Sequence, residues 1–239
     1  MLTKKPTRIE LCAQDKQEYG ELKRQKQEKL QAQGENAAVR TLQVEVKLRL
    51  PDRAAYDKAA QLFGGSNTTA VYAQENFFFD GSKQELSSKK TILRLRFYNT
   101  DEKAVFTIKG KQVLVDGIAR ATEVEEATEA ASARRFLTNP DEALKASPLL
   151  ATTASAQGIT SLVCLGGFKN QRQVYAWQEE TIELDETKFE WGTLYEIECE
   201  TDHPEQLRDK LEGALRENAI SFQYSATSKF ANFKNRTLL

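Results

Sequence analysis

The chain has 239 residues, 40% hydrophobic and 29% charged, with a formal net charge of -1, enough to bury a core as one large domain or two small ones but without a global basic field for duplex nucleic acid. A single histidine, His203, and three cysteines, Cys12, Cys164 and Cys199, without CxxC spacing remove most support for histidine-built metal sites, histidine-based triads, disulfide frameworks and zinc, so any metal should be a hard one held by carboxylates. No apolar run is long enough to cross a bilayer and the first residues lack the apolar core of a signal peptide, so a soluble, cytoplasmic protein with no membrane partner is expected.

Residues 1–40 are polar and poor in aromatics, with Lys, Gln and Glu concentrated between Glu18 and Gln33, and they read as a solvated helical or disordered extension. From Gln43 to Leu50 the aliphatic Val44, Val46, Leu48 and Leu50 alternate with Gln43, Glu45, Lys47 and Arg49, which predicts a strand with one apolar and one ionic face. Pro51 and Asp52 then open a helix to Phe63, stopped by Gly64 and Gly65, because Ala55, Tyr56, Ala59, Ala60, Leu62 and Phe63 fall at helical spacing. Thr68 to Asp80 reads as a strand that ends in a turn at Gly81.

Ile92 to Asn99 repeats the alternation with a basic face of Arg94 and Arg96, and 103–109 sets Val105, Thr107 and Lys109 against Phe106 and Ile108, with Lys111 just past a Gly110 turn. Arg120 to Glu126 carries Glu123 and Glu125 on one parity. Thr128 to Gln157 shifts to Ala, Leu, Ser and Pro at helical spacing, an all-helical insertion or cap between two sheet halves. Strands return at Thr160–Trp177, kinked or bulged at Gly166 and Gly167, and at Thr181–Phe189, with Arg172, Asp185 and Lys188 as their charges. The last strand, Leu194 to Glu200, places Glu196, Glu198 and Glu200 opposite Tyr195, Ile197 and Cys199; a helix from Pro204 to Glu217 and a short one from Ser225 to Phe233, carrying Lys229, follow.

At least seven strands with short links suggest an antiparallel sheet, and closure into a barrel removes its exposed edges. If the helices cover an apolar exterior, the ionic parity lines the lumen: Glu45, Lys47, Arg49, Arg94, Arg96, Lys109, Glu123, Glu125, Arg172, Asp185, Glu198 and Glu200. Two like charges about 4 Å apart repel by roughly 4 kcal/mol at an effective dielectric of about 20, so grouped carboxylates call for a divalent cation and grouped guanidinium and ammonium groups for a polyanion. Such a lumen suits a metal-bound phosphate chain. The alternative is a wet outer face with Arg and Glu strands paired for register; recurrence over so many strands favours the lumen.

The stretches VEVKLRL at 44–50, ILRLRF at 92–97, TIKGK at 107–111, VCLGGF at 163–168, ELDETKFEWG at 183–192, YEIECE at 195–200 and TSKF at 227–230 together resemble the triphosphate tunnel metalloenzymes, or CYTH superfamily. They look closest to its plant-type inorganic tripolyphosphatases. The resemblance implies an α+β fold over residues 41–235: an eight-stranded antiparallel β-barrel, the tunnel, with helices packed outside and a C-terminal plug helix, followed by a tail at 236–239. It implies that Glu45, Glu198 and Glu200, with Asp185, hold Mg²⁺ or Mn²⁺, and that Glu123, Glu125 and Asp185 serve a second metal or the attacking water. Lys47, Arg49, Arg94, Arg96, Lys109, Lys111 and Arg172 would grip phosphate oxygens, with Lys229 reaching in from the plug helix. The catalytic set would be Glu45, Lys47, Glu123, Glu125 and Lys229; Glu196 shares the face without an assigned role.

The implied function is hydrolysis of a linear triphosphate, inorganic tripolyphosphate to pyrophosphate and phosphate, by a monomer. Thiamine triphosphatase, nucleoside triphosphatase and adenylate cyclase are alternatives on the same fold. One position departs: the family has Glu as a metal ligand where this chain has Gln43, and a neutral amide should lower metal affinity and activity. That leaves open a catalytically weakened polyphosphate-binding module, and after it a structural protein with a charged exterior.

Overall fold

The computed structural model describes residues 39–65 and 67–239; the extension expected over 1–40 falls outside them, apart from residues 39 and 40, which begin the first strand. The strands are β1 (Val39–Leu50), β2 (Ala70–Gly81), β3 (Ile92–Tyr98), β4 (Lys103–Lys109), β5 (Val113–Val115), β6 (Ile118–Thr128), β7 (Leu162–Trp177), β8 (Glu180–Phe189), β9 (Gly192–Glu200) and β10 (Gln223–Tyr224). The helices are α1 (Arg53–Phe63), α2 (Glu85–Ser88), α3 (Ala130–Arg135), α4 (Asp141–Ala146), α5 (Pro148–Gln157), α6 (Pro204–Glu217) and α7 (Lys229–Asn235).

Eight strands close an antiparallel barrel in the order β1-β9-β8-β7-β2-β3-β4-β6 and back to β1. β1 makes the closure: Val39–Val46 pair with β6, and Glu45–Leu50 pair with β9. Where β1 has left β6, β10 pairs with Leu48 and Arg49, and β5 adds to the far side of β6. Alternation cannot reveal β5 and β10, because two or three residues are too few to show a period.

The alternating pattern puts the hydrophobic core outside the barrel. Val46, Leu48 and Leu50 with Ile182, Leu184, Ile197 and Cys199 are covered by Ala55, Tyr56, Ala59 and Phe63 of α1 and Leu207, Leu211 and Leu215 of α6. A second cluster joins Leu93, Leu95, Phe97, Ala104 and Phe106 to Leu86 of α2 and to Ala133, Ala143, Leu149, Leu150 and Ala154 of α3–α5. The opposite parity of the same strands faces inward. Helix α1 starts where Asp52 accepts from the Ala55 N–H at 2.8 Å, and the 128–157 insertion divides into three short helices because Pro140 and Pro148 interrupt it.

Asp80, in the Phe77–Phe78–Phe79–Asp80 run, is structural. It is buried, and its Oδ1 accepts from the N–H groups of Gly81 at 2.7 Å, Leu86 at 2.9 Å and Ser87 at 3.4 Å, which starts α2. Replacing it with Ala should lower stability by about 2 kcal/mol in urea unfolding, since buried N–H groups lose their acceptor; an unchanged unfolding midpoint would show that α2 forms without it.

One end of the barrel is shut by aromatic side chains. Phe78, Phe168, Phe189 and Leu194 from the inner parity meet Phe230 and Phe233 of α7, with the Phe78 ring 4.7 Å from Phe230 and 5.4 Å from Phe168. α7 begins later than the expected Ser225 because Ser228 caps it, accepting from the Ala231 N–H at 3.1 Å. The buried Asn232 holds the chain end: its Oδ1 accepts from the Leu239 N–H at 2.8 Å and from Thr237 Oγ1 at 2.9 Å.

Candidate active site in the barrel lumen

Cross-strand register sets opposite charges side by side. On the β1–β9 pair Lys47 faces Glu198, Arg49 faces Glu196 and Glu45 faces Glu200; on the β7–β8 pair Arg172 faces Asp185. Glu198 is the hub. Lys229 Nζ lies 2.5 Å from its Oε1, 2.8 Å from Asp185 Oδ2 and 3.0 Å from Glu196 Oε2, while Lys47 Nζ bonds Glu198 Oε1 and lies 3.2 Å from Glu45 Oε1. Arg172 grips Asp185 with two bonds, at 2.8 and 2.6 Å, reaches Glu198 Oε2 at 2.8 Å and also pairs with Glu183. Arg49 Nη2 and Ser225 Oγ both donate to Glu196 Oε1, at 2.9 and 2.8 Å.

Burial alone would push these carboxyl groups up. Lys229, Lys47 and Arg172 outweigh it at Glu198, holding it well below the usual carboxylate range, and Arg172 and Lys229 hold Asp185 at about 2. The reciprocal effect overcomes burial at Lys229, pushed up to about 12 by Asp185, Glu196 and Glu198, and raises Lys47 through Glu198 and Glu45. The cations thus favour the charged forms of Glu198 and Asp185, whereas at Glu183 burial leads and pushes the carboxyl up.

The facing strands are arranged differently. Arg94 Nη2 donates to Thr107 Oγ1 at 3.0 Å and lies 3.6 Å from Glu125, itself half exposed. Arg96 Nε donates to Asn76 Oδ1 at 2.7 Å. Burial, and then the charge of Arg96, depress Arg94 to about 10. Lys109 pairs with Glu123 and lies 3.7 Å from Glu45. The Gln43 amide, oriented to satisfy its neighbours, donates to both Glu123 oxygens at 3.0 Å. Several buried donors have no acceptor: Arg49 Nε and Nη1, Arg94 Nε and Asn76 Nδ2.

The carboxylate set is oxygen-only, the chemistry of a hard cation site, with Glu45 and Glu200 cross-strand neighbours and Glu198 beside them. Among the described residues, however, no three acidic, histidine or cysteine side chains are gathered as a metal site; ammonium groups stand between the carboxylates instead. Glu200 lies at the exposed end of β9, and Lys111 is exposed on the link between β4 and β5, in none of the ion pairs of the described residues. Of the other candidates, Glu45, Lys47, Arg49, Lys109, Glu123, Arg172, Asp185, Glu198 and Lys229 are linked through ion pairs, whereas Arg94 with Glu125, and Arg96 with Asn76, form separate contacts on the facing strands.

Sequence reasoning missed Asn76, Glu183 and Ser225 and left Glu196 without a role. Asn76 is hidden because its strand reads NFFFD, where consecutive aromatics mask the alternation. Away from the aromatic plug the lumen opens into a cavity of about 320 Å³ whose lining includes Tyr72, Tyr98, Lys103, Arg172 and Glu183.

The sequence model of the CYTH domain matches residues 41–233. No curated protein matches the chain. Among solved structures, HpAC1 from Hippeastrum, designated an adenylyl cyclase and described as revealing a dominant triphosphatase activity, is 36% identical with a TM-score of 0.79, covering 82% of this chain and 97% of that one. A Bacillus halodurans protein designated an adenylate cyclase is 19% identical with a TM-score of 0.61, over 80% of this chain and 98% of that one. PH1819 from Pyrococcus horikoshii OT3 is 20% identical with a TM-score of 0.56, over 80% and 99% respectively; these two share the fold. Since the domain match spans the barrel from β1 to α7 and the Hippeastrum protein is covered almost end to end, the chain belongs to the CYTH domain family.

Proposed function

We propose that the chain hydrolyses a linear triphosphate in its lumen, with inorganic tripolyphosphate as substrate and pyrophosphate and orthophosphate as products. The observation that carries this reading is the set of buried, unpartnered guanidinium N–H groups on Arg49 and Arg94. Phosphate oxygens are acceptors of the right charge for them. The triphosphatase activity described for the Hippeastrum relative supports the reading.

In this proposal Lys47, Arg49, Arg94, Arg96, Lys109, Arg172 and Lys229 hold the phosphate chain and stabilise the charge that develops as the anhydride bond breaks. Glu45, Glu198 and Glu200, with Asp185, would hold Mg²⁺ or Mn²⁺, which neutralises phosphate oxygens when bound. Glu123 and Glu125 orient the attacking water. Lys47 and Lys229, which neutralise Glu198 in this structure, are positioned to turn to phosphate oxygens when substrate enters.

A second reading, a polyphosphate-binding module with weak turnover, is favoured by Gln43, whose neutral amide satisfies Glu123 where a carboxylate would repel it. Orthophosphate release from tripolyphosphate, ATP and thiamine triphosphate at equal concentration, with Mg²⁺, with Mn²⁺ and with EDTA, separates the two. Cation-dependent release with tripolyphosphate preferred is expected, and faster release by Gln43→Glu. Absence of cation-dependent turnover in both chains would overturn the enzymatic reading, and tripolyphosphate binding without turnover in both would leave the binding module.

A further inference from the structure

Asn76 lies in none of the stretches that carry the family resemblance, yet it sits in the lumen wall. It is 1% exposed and shares its parity on β2 with Gln74, Tyr72 and the plug residue Phe78. Its Oδ1 accepts from Arg96 Nε at 2.7 Å. A guanidinium nitrogen only donates, so the amide orientation is fixed: the carbonyl oxygen must face Arg96, and Nδ2 with its two N–H bonds points elsewhere. That nitrogen has no partner.

The neighbouring amide oxygens accept from other donors and not from Asn76. Asn170 Nδ2 donates to Gln74 Oε1 at 3.0 Å, and Asn170 Oδ1 accepts from Thr187 Oγ1 at 2.7 Å. On the adjacent strand Arg94, which faces Phe78 in the register, has its own buried Nε without a partner. Buried donors left unmade are destabilising and rare in native structures. Two of them on adjacent strands, flanked by guanidinium groups, match an acceptor that is anionic and bears several lone pairs. A neutral donor suits this position, since a third cation beside Arg94 and Arg96 would add repulsion.

We infer that Asn76 is a substrate-binding residue whose Nδ2 donates to a non-bridging oxygen of the phosphate chain, while its Oδ1 fixes the Arg96 guanidinium. The inference rests on the triphosphate reading above. It is tested by calorimetric titration of the full chain with tripolyphosphate in EDTA, comparing wild type, Asn76→Ala, Arg96→Met and the double variant, each checked by thermal melting. Asn76→Ser replaces the Ala variant if the latter does not fold.

Loss of a hydrogen bond to a charged oxygen should weaken binding about tenfold or more, and should do so in both the Arg96 and the Met backgrounds. Wild-type affinity in the folded Asn76 variant would overturn the inference. So would a loss that disappears in the Arg96→Met background, since Asn76 would then act only through Arg96. A wild-type chain that binds no tripolyphosphate in EDTA would overturn this inference, and one that also releases no orthophosphate with Mg²⁺ or Mn²⁺ would overturn the triphosphate reading with it, a result distinct from either of the others.

Discussion

Replacing Glu198 with Gln should cut tripolyphosphate hydrolysis by about a hundredfold and lower stability by about 3 kcal/mol. The side chain is 5% exposed and is shared by Lys47, Lys229 and Arg172. Removing its charge leaves buried cations under-compensated, which is more destabilising than never having buried the pair. The same loss should make the variant respond more strongly to a polyanion: tripolyphosphate in EDTA is expected to raise its melting temperature more than that of wild type, because the released ammonium and guanidinium groups find phosphate oxygens instead. Equal shifts in the two chains would mean that the lysines around Glu198 do not meet the substrate.

Gly167→Ala should be the most damaging single methyl addition in the barrel. A Cβ there would lie 1.8 Å from the Asn76 carbonyl oxygen and 2.8 Å from its carbonyl carbon, so backbone must move, not a flexible side chain. The β2–β7 pairing shifts register beside this point, between Phe78 and Phe79, and Gly166 adopts φ +89°, a left-handed conformation that favours glycine. A loss of about 3 kcal/mol or more is expected, read by thermal melting and soluble yield. Gly213 in α6 provides the contrast: a Cβ there meets nothing within 4 Å, and Gly213→Ala should stabilise the helix by about 0.5–1 kcal/mol. A Gly167→Ala chain melting like wild type would show that β2 and β7 can separate without loss.

Individual residues show why parts of the site were legible and others were not. Glu45, Lys47 and Arg49 stand out because a period of two cannot be read any other way when Val44, Val46, Leu48 and Leu50 lie between them. Arg94 and Arg96, and Glu196, Glu198 and Glu200, stand out for the same reason. Asn76 does not, since its neighbours Phe77, Phe78 and Phe79 are apolar on both faces: Phe77 and Phe79 join the outer core and Phe78 the plug. Lys111 follows Lys109 at the right spacing, but Gly110 ends the strand, and a residue beyond the strand is not held to its faces.

The strand faces and the helices that cover them are written in the residue order, because alternation and helical spacing are local properties of side-chain order. The sequence also pointed away from histidine-built chemistry and toward carboxylates, lysines and arginines, there being one histidine. How those charges divide depends on the folded barrel. Closure through β1, and the return of α7 to the barrel end, bring Lys229 to Asp185, Glu196 and Glu198; residues this far apart in the chain meet by register and packing, which no local period encodes. The result is one wall where carboxylates are paired with cations, and another where Arg94 and Asn76 hold buried donors without a protein acceptor, as Arg49 does on the first. Buried N–H groups without acceptors are a property of the packed interior, and an unfolded chain, hydrogen-bonded to water throughout, has none.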